Sequence, residues 1–546
     1  MLQRWVVALV LLAPVWAQLP EAYRVFELAQ DAHDVGVLER LLGTPGYVQI
    51  LAARELSRSP ELSPSRRLEL AERAARFENA AADWLWVGRL REVLGDAPGA
   101  AEAYGLALPL DEAETALVRL AAAGVRETYA ALYRGGAYET LLKVLPASEV
   151  AWRARALDRL HRSDEALAAH RAWAKASDEG REALGWVLLR LGRYREAETV
   201  FRGVKGPEAA LGRGRALEAL GRTAEAVRAY RASGRPEALW RATALLERSG
   251  RTAEALPRYR ELAQGGSKYA DDATLRLWVL ARRRGDAALE AWAYERLEGG
   301  LALLAGKEGP EPPAAEACAA ATAAVPGQAT VEQLLREGRE AWALGEARWW
   351  AGRLGPTGAW GIVGVLQRHG LWGASLRLAR DLPGLPRHCD WPLRYPRAYP
   401  EPVRREAAAF GLEPELLWAV MRVESRFDPE AVSPTGAKGL MQFVAATWDD
   451  VARRLGEAPG DPFDPATAVR YGAYYLRSLL DACDRQLVCA LTGYNGGPGY
   501  TRRALAAVDG DVWDFLRFQP RDEPREYVER VLWAYATYKA LAGAAP

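Results

Sequence analysis

Residues 191–226 read LGRYREAETVFRGVKGPEAALGRGRALEALGRTAEA and show the repeat that indicates the fold of the N-terminal half. This stretch contains two copies of one pattern, a Gly-Arg pair whose Arg is followed three residues later by Glu-Ala. The two copies begin at Gly192 and Gly221, and a third begins at Gly250, so the interval is 29 residues in both steps. A weaker copy lies at residues 162–166. Glycine at such a position ends one helix, and the acidic residue lies in the first turn of the next. The pattern therefore predicts a series of helix pairs.

Helix pairs of this kind cannot bury their apolar faces alone, so they stack into a solenoid. Apolar residues keep helical spacing almost throughout residues 18–300, where we expect a helical-repeat superhelical domain. The repeat resembles tetratricopeptide repeats, with a shorter period. Residues 301–330 are rich in Pro and Ala and predict a linker or long loop, and residues 331–394 predict a helical linker region. Residues 395–546, with more Tyr, Gly and Asp-Pro breaks, form a separate predicted domain.

The N-terminus has the features of a secretory signal peptide. Arg4 supplies a positive charge, residues 5–13 are apolar, and Val15 and Ala17 place small residues at a cleavage site. The apolar stretch is too short for a membrane anchor, and no later segment is long and apolar enough to span a membrane. We expect residues 1–17 to be removed and the mature chain, without a membrane span, to be periplasmic or otherwise extracytoplasmic.

The composition excludes several classes of function. The formal net charge is +1 over 546 residues, which gives no sign of a surface for nucleic acid. All five His residues precede residue 395, so the C-terminal domain has neither a His-based triad nor a His metal site. No Gly-rich phosphate loop is present, and we expect no cofactor and no metal.

The four cysteines of an exported chain permit two disulfides. Cys483 and Cys489 flank a short polar connection between two predicted helices, and residues in such positions come within disulfide reach. We predict a bond between them; two small buried thiols are the alternative.

The C-terminal domain carries the candidate chemistry. A helix is predicted from Pro414, a favourable first-turn residue, and must end before the next proline. Glu424 continues the face that Leu417, Val420 and Met421 form, so a carboxylate extends an apolar stripe. A lone Glu near a helix end usually reaches solvent, and only the neighbouring motifs decide between the two interpretations.

Two further segments suit a sugar site. Residues 433–442 contain two glycines, which permit turns and the close approach of a ligand. Residues 493–499 place an aromatic ring and an amide, Tyr494 and Asn495, before a Gly-rich turn. Sugar sites combine flat rings with amides and hydroxyl groups in this way.

Four motifs together resemble those of the soluble lytic transglycosylases. They are Glu424-Ser-Arg-Phe, Gly436-Ala-Lys-Gly-Leu-Met-Gln, Tyr494-Asn and Glu523-Pro-Arg-Glu-Tyr-Val, and the resemblance covers residues 395–541. Enzymes of this family have a lysozyme-like catalytic domain attached to a large superhelical α-domain. The resemblance therefore implies an all-α fold, with an N-terminal helical-repeat superhelix (a solenoid) followed by a mostly helical lysozyme-like domain.

The resemblance also implies a reaction and its residues. The reaction is cleavage of peptidoglycan glycan strands between N-acetylmuramic acid and N-acetylglucosamine, with a 1,6-anhydromuramoyl product. The catalytic acid, then base, would be Glu424, and we expect an apolar setting to raise its pKa toward neutrality. Further residues are expected to bind substrate: Ser433, Gln442, Tyr494, Asn495, Glu523 and Tyr527.

Two other functions stay open from the sequence. The enzyme would be a lysozyme-type hydrolase if a second carboxylate positioned a water molecule, and the candidates are Asp428, Asp449, Asp461 and Asp464. Three of these aspartates, all except Asp449, precede Pro and are more typical of turns. A non-catalytic scaffold would instead bind glycan and use its helical repeats to recruit other cell-wall proteins.

Overall fold

The computed structural model describes residues 20–307, 309–313, 318, 324–508, 510–518 and 522–543. These residues form 33 α-helices and one short 3-10 helix, and no β-strand occurs among them. The predicted all-α fold is confirmed. None of the described helices is both long and apolar enough to cross a membrane. The predicted signal peptide, residues 1–17, lies outside the described residues.

Packing of the chain defines two compact units, residues 1–269 and residues 270–546. The domain boundaries expected from the sequence, after residues 300, 330 and 394, stay predictions. The helices of the first unit are Glu21–Asp31, Val35–Leu41, Val48–Leu56, Pro64–Glu78, Ala81–Val93, Ala97–Ala107, Asp111–Ala122, Glu127–Arg134, Tyr138–Val144, Val150–Arg159, Ser163–Ala176, Asp178–Arg190, Tyr194–Arg202, Pro207–Ala219, Thr223–Ser233, Pro236–Arg248 and Thr252–Ala263.

The second unit contains the segment that the sequence motifs mark. Its helices are Ala270–Arg284, Ala287–Arg296, Gly299–Leu304, Gln328–Arg336, Glu340–Ala351, Pro356–Arg368, Trp372–Ala379, Trp391–Arg394, Pro400–Phe410, Pro414–Glu424, Ala445–Leu455, Pro465–Ala482, Leu487–Gly496, Pro498–Ala506, Val512–Phe518 and Asp522–Gly543, with the 3-10 turn at Pro386–His388.

The repeated Gly-Arg pairs separate helices as predicted. Gly192, Gly221 and Gly250 have φ of 72°, 72° and 78°, a left-handed conformation that glycine adopts because it has no Cβ atom. The arginine after each glycine pairs with the glutamate three residues on, as Arg222 does with Glu225. The helix-pair repeat is therefore confirmed in this segment.

Buried tyrosine rings fill the spaces between successive helices of the first unit. The Tyr230 ring is fully buried, and its hydroxyl donates to the Glu218 carboxylate. It lies against Gly214, where an added Cβ atom would overlap the ring, and Tyr104 lies against Gly88 in the same way. Glycine thus lets the paired helices approach closely, which gives the repeat a dense core.

In the second unit, the helix Pro414–Glu424 packs against the C-terminal helix, Asp522–Gly543. The buried Trp418 indole donates to a backbone carbonyl oxygen at 2.8 Å, and the buried Tyr538 hydroxyl donates to another at 3.0 Å. These bonds fix both helices at their buried faces.

Two disulfides lie in the second unit. Cys483 and Cys489 join the end of the helix Pro465–Ala482 to the first turns of the helix Leu487–Gly496, and the predicted bond is confirmed. The other disulfide, Cys318–Cys389, holds the Pro- and Ala-rich segment to the region before residue 395.

Candidate active site

Glu424 is the last residue of a helix that begins at Pro414, as predicted. Leu417, Val420 and Met421 on the same face are fully buried, whereas Glu424 is half-buried. The following backbone N–H donates to the carbonyl oxygen of Met421 at 3.0 Å and closes the helix. A carboxyl group therefore stands at the end of an apolar stripe.

The chain turns sharply after this helix. Arg426 and Phe427 both have left-handed backbone, with φ of 52° and 61°. That conformation costs a non-glycine residue roughly 1–3 kcal/mol. Complete burial of the Phe427 ring and a 3.5 Å hydrogen bond from the Tyr399 hydroxyl to the Phe427 carbonyl oxygen hold the turn. The position of the helix end, and of Glu424 with it, is thus tightly determined.

The glycine-containing segment after Val432 forms a small loop beside this turn. Isolated β-bridges pair Lys438 with Val432 and with Phe443. Gly439 has φ of 70°, and an added Cβ atom there would overlap the carbonyl oxygen of Pro462. The loop therefore requires glycine at this position.

Two predicted substrate-binding residues hold this loop together. The Gln442 amide nitrogen donates to the carbonyl oxygens of Ala431 at 3.1 Å and Gly439 at 2.9 Å. The Ser433 hydroxyl oxygen accepts the backbone N–H of Ala437 at 3.0 Å. The amide oxygen of Gln442 makes no hydrogen bond with any described residue.

Two tyrosine rings stack next to Glu424. Tyr494, on the helix Leu487–Gly496, and Tyr527, on the C-terminal helix, have ring centroids 6.4 Å apart and planes inclined by 7°. The Tyr494 hydroxyl donates to the carbonyl oxygen of Met441 at 3.0 Å and ties its helix to the loop. The Tyr527 hydroxyl is buried and makes no hydrogen bond of ordinary geometry within the described chain.

The C-terminal helix presents three groups to Glu424. Glu523, Tyr527 and Arg530 follow one another at i, i+4 and i+7 and so share a helix face. Burial raises the pKa of Glu424 to about 7; the Tyr527 hydroxyl and the Arg530 charge act to lower this pKa, and the Glu523 charge raises it further. Burial, then the charge of Glu424, raises the pKa of Tyr527 well above its usual value. The carboxyl group is therefore within electrostatic reach of all three.

Three of the four aspartates weighed as second carboxylates hold local structure. Asp464 caps the helix that follows it, because its carboxylate accepts the backbone N–H of Thr467 at 2.8 Å and the Thr467 hydroxyl at 2.6 Å. These hydrogen bonds lower the pKa of Asp464. Asp461 accepts a backbone N–H two residues on at 2.9 Å, and Asp428 forms an ion pair with Arg377. Asp449 is exposed. Asp428 also accepts the backbone N–H of Glu430 at 3.2 Å, so Asp428 and Asp461 have the turn-forming roles expected of them, whereas Asp464 caps a helix.

The predicted site residues fall into two groups. The first group consists of Glu424 and the three residues near its carboxyl group, which are Tyr494, Tyr527 and Glu523. The second lies on the adjoining loop and helix and consists of Ser433, Gln442 and Asn495. Their roles in binding stay predictions.

Three residues of the site were not predicted from the sequence. Arg530 lies seven residues after Glu523, and this helical spacing was the available signal. Phe443 and Tyr475 pack on Tyr494, with ring centroids 5.6 and 5.5 Å from it. No local pattern marks these two, because the contacts join segments that are distant in sequence.

The segment that contains Glu424 is similar in sequence to known proteins. Residues 401–511 match the family described as the transglycosylase SLT domain. The chain is 30% identical over 159 residues to the soluble lytic murein transglycosylase of Escherichia coli K12, an alignment that covers 28% of this chain and 25% of that protein. It is 31% identical over 197 residues to membrane-bound lytic murein transglycosylase C of Yersinia enterocolitica, with 31% and 52% covered.

The fold extends this likeness beyond the motifs. The crystal structure of the 70 kDa soluble lytic transglycosylase of Escherichia coli matches 96% of this chain and 96% of its own, with a TM-score of 0.63 and 18% identity. The fold is that of helical repeats followed by a lysozyme-like domain, and residues 401–511 match the transglycosylase SLT domain in sequence. The sequence alignments span only 25% to 52% of the curated relatives. In sequence, residues 401–511 are thus similar to lytic transglycosylases, and in fold the chain is similar to one of them.

Proposed function

We propose that the protein is a peptidoglycan lytic transglycosylase, which cleaves the bond between N-acetylmuramic acid and N-acetylglucosamine and leaves a 1,6-anhydromuramoyl end. One observation carries the proposal: the half-buried carboxyl group of Glu424 ends an apolar helix face beside the stacked rings of Tyr494 and Tyr527, where burial raises its pKa to about 7. An acid catalyst must hold its proton near neutral pH, and this setting supplies that property. The names of the curated relatives, lytic murein transglycosylases, support the same reaction.

In the first step, protonated Glu424 donates its proton to the glycosidic oxygen. The bond between that oxygen and C1 of the muramic acid breaks, and its electron pair leaves with the N-acetylglucosamine oxygen, which becomes a hydroxyl group. The carbonyl oxygen of the muramic N-acetyl group bonds to C1 as the other bond breaks. With a pKa of about 7, roughly half of the Glu424 side chains are protonated at pH 7.

In the second step, ionised Glu424 acts as a base. It accepts the proton of the C6 hydroxyl while O6 bonds to C1 and displaces the N-acetyl oxygen. The 1,6-anhydro ring closes, no water is consumed, and the carboxyl group is protonated again. The Tyr527 hydroxyl and the Arg530 charge favour the ionised form that this step requires.

A lysozyme-type hydrolase is the alternative. It would need a second carboxylate to hold water or to bond to C1. Glu523 is exposed and lies within electrostatic reach of Glu424, so it is the group to consider for that role. The products separate the two reactions, since an anhydro product lacks one water relative to the hydrolysed one.

The test is Glu424→Gln, which keeps the shape of the side chain and removes the titrating proton. We expect it to lower cleavage of purified peptidoglycan by at least about 10²–10⁴-fold. Glu430→Gln, at an exposed glutamate six residues later, is the matched control and should keep full activity. Mass spectrometry of the wild-type products should show 1,6-anhydromuramoyl ends.

Binding measurements complete this experiment. The 70 kDa soluble lytic transglycosylase forms a solved complex with bulgecin A, and we propose that this protein binds bulgecin A as well, with and without the Glu424→Gln substitution. Retained binding by Glu424→Gln with lost cleavage would support the catalytic role. If the products carried only reducing ends, the protein would be a hydrolase and the transglycosylase proposal would be wrong. If the wild-type protein bound the ligand without cleaving peptidoglycan, a scaffold function would be favoured.

We also propose that the protein works outside the cytoplasm, because its proposed substrate is the cell wall. The relatives include forms named soluble and forms named membrane-bound. Binding of other cell-wall proteins by the helical repeats is a further proposal, supported by the stacked helix pairs of the first unit.

A further inference from the structure

A buried ion pair joins the C-terminal helix to a helix that lies far upstream in the sequence. Its partners are Asp272, in the first turn of the helix Ala270–Arg284, and Arg525, near the start of the C-terminal helix. Only 7% of the Arg525 side chain and 8% of the Asp272 side chain are exposed. Removing one partner of a buried pair is costly, because it leaves the other charge without compensation.

Arg525 and the tyrosine beside Glu424 lie on the same turn of the C-terminal helix. Two residues separate Arg525 from Tyr527, which corresponds to roughly 200° around a helix, so the two side chains lie on opposite faces. Tyr527 acts on Glu424, whereas Arg525 pairs with Asp272. This one turn therefore carries an active-site group on one side and the buried ion pair on the other.

The upstream helix is itself held in place. The buried guanidinium group of Arg276 pairs with Asp514 at 2.6 Å, and Arg283 pairs with Asp511 at 2.8 Å. These two ion pairs join the helix Ala270–Arg284 to the residues that precede the C-terminal helix. The helix is therefore a fixed support for Arg525.

A second contact limits movement of the same turn. The helix Gly299–Leu304 packs against the C-terminal helix. An added Cβ atom at Gly300 would overlap the carbonyl oxygen of Glu529, so the two backbones are in close contact at that point. Arg525 also lies 4.0 Å from the Glu529 carboxylate. The turn from residue 525 to residue 529 is thus held on the side away from Glu424.

We propose that Asp272 and Arg525 are positioning residues of the active site, and that their ion pair fixes the turn of the C-terminal helix that places Tyr527 beside Glu424. The inference rests on the proposed function, because it concerns the catalytic acid of that reaction. Asp272 lies outside residues 401–511, which match the transglycosylase domain in sequence. The support of the active site therefore extends to a helix that the sequence assigns to the helical repeats.

The ion pair acts on Glu424 through the position of a helix. Asp272 is not among the groups whose charges act on the pKa of Glu424, whose largest cause is burial. The buried Tyr527 ring helps to keep water from this carboxyl group. If the turn moved away, water would reach Glu424 and its pKa would fall toward the ordinary value. A misplacement of about 1 Å at an active site costs about 100-fold in rate.

The test is Asp272→Asn in the full chain. Asp271→Asn, which makes the same charge change at the exposed neighbouring residue, is the matched control. On purified glycan strands we expect Asp272→Asn to lower kcat by about 10- to 100-fold, with KM changed much less. The fall of kcat/KM at alkaline pH should also begin at lower pH in this variant. A purely structural role would lower the amount of folded enzyme and leave the pH dependence in place.

Hydrogen exchange followed by mass spectrometry gives a readout that needs no activity. The backbone amides of residues 523–530 should exchange at least about tenfold faster in Asp272→Asn than in the wild-type protein. Asp271→Asn should exchange at the wild-type rate. If the wild-type protein cleaves nothing, the proposed function fails, and the exchange rates alone then decide whether the ion pair holds the turn.

A double variant covers the case in which Asp272→Asn does not fold. Asp272→Leu together with Arg525→Met removes both charges, and apolar residues of similar volume commonly preserve a fold in place of a buried pair. The double variant lacks the directional bond, so it should show the same loss of kcat and the same change in pH dependence. A folded variant, single or double, with wild-type kcat and pH dependence would overturn the proposal, as would an equal loss in Asp271→Asn.

Discussion

The raised pKa of Glu424 predicts a specific pH dependence. Its ordinary value is 4.5 and its value in the folded protein is about 7, a difference worth ~3 kcal/mol. At the ordinary value only about 1 in 300 groups would carry the proton at pH 7, whereas the folded protein keeps about half. Since the first step needs the protonated form, kcat/KM should fall above pH 7 and reach roughly one tenth of its plateau at pH 8.

Above pH 7, the fall of kcat/KM forms the descending limb of the pH profile. Two substitutions on the C-terminal helix should move this limb along the pH axis in opposite directions. Glu523→Gln removes a negative charge that raises the pKa of Glu424, so the limb should move to lower pH. Arg530→Gln removes a positive charge that lowers the same pKa, so the limb should move to higher pH. Glu526→Gln, an exposed glutamate on the same helix, is the control and should leave the limb in place.

The assay is the initial rate of release of soluble fragments from dye-labelled peptidoglycan, from about pH 5.5 to 9 at constant ionic strength. Constant ionic strength matters because salt screens exposed charges. The reasoning fails if the wild-type profile has no descending limb between about pH 6 and 8. It also fails if both charge-removing substitutions shift the limb in the same direction.

Two predictions concern stability. Burial, then the charge of the neighbouring Asp272, raises the pKa of Glu529 from 4.5 to about 7. Because the folded protein holds this proton more tightly than the unfolded chain, the free energy of unfolding falls as the pH rises from about 4.5 to 7. Glu529→Gln should therefore be more stable than wild type by up to ~3 kcal/mol at pH 8, and no more stable at pH 4. Guanidinium unfolding at the two pH values measures this, and a pH-independent difference would contradict it. Gly214→Ala places a methyl group into the buried Tyr230 ring, so an overpacking cost of about 1–3 kcal/mol should exceed the helix-propensity gain of at most about 1 kcal/mol. Thermal unfolding should show a lower midpoint for this variant, whereas Gly266→Ala, where the methyl group meets no atom, should leave the midpoint unchanged.

The repeat helices and the position of Glu424 at a helix end could be predicted from the sequence. Glycine before each repeat copy and proline at the start of the Glu424 helix act on their own few residues, so their effects are readable along the chain. The face shared by Leu417, Val420 and Glu424 follows from helical spacing in the same way. The disulfide between Cys483 and Cys489 was also predictable, because the two residues, separated by 6 positions, flank one short connection.

The groups that surround the Glu424 carboxyl group could not be predicted from the sequence. Arg530 and Glu424 are distant in sequence, and no local rule says which turn of the C-terminal helix lies opposite the end of another helix. Gln442, expected to bind substrate, uses its amide nitrogen to hold a loop, which depends on where the carbonyl oxygens of Ala431 and Gly439 meet. Local spacing determines helices because the bonds involved reach three or four residues. Burial, charge proximity and cavity shape depend on segments that only the folded chain brings together.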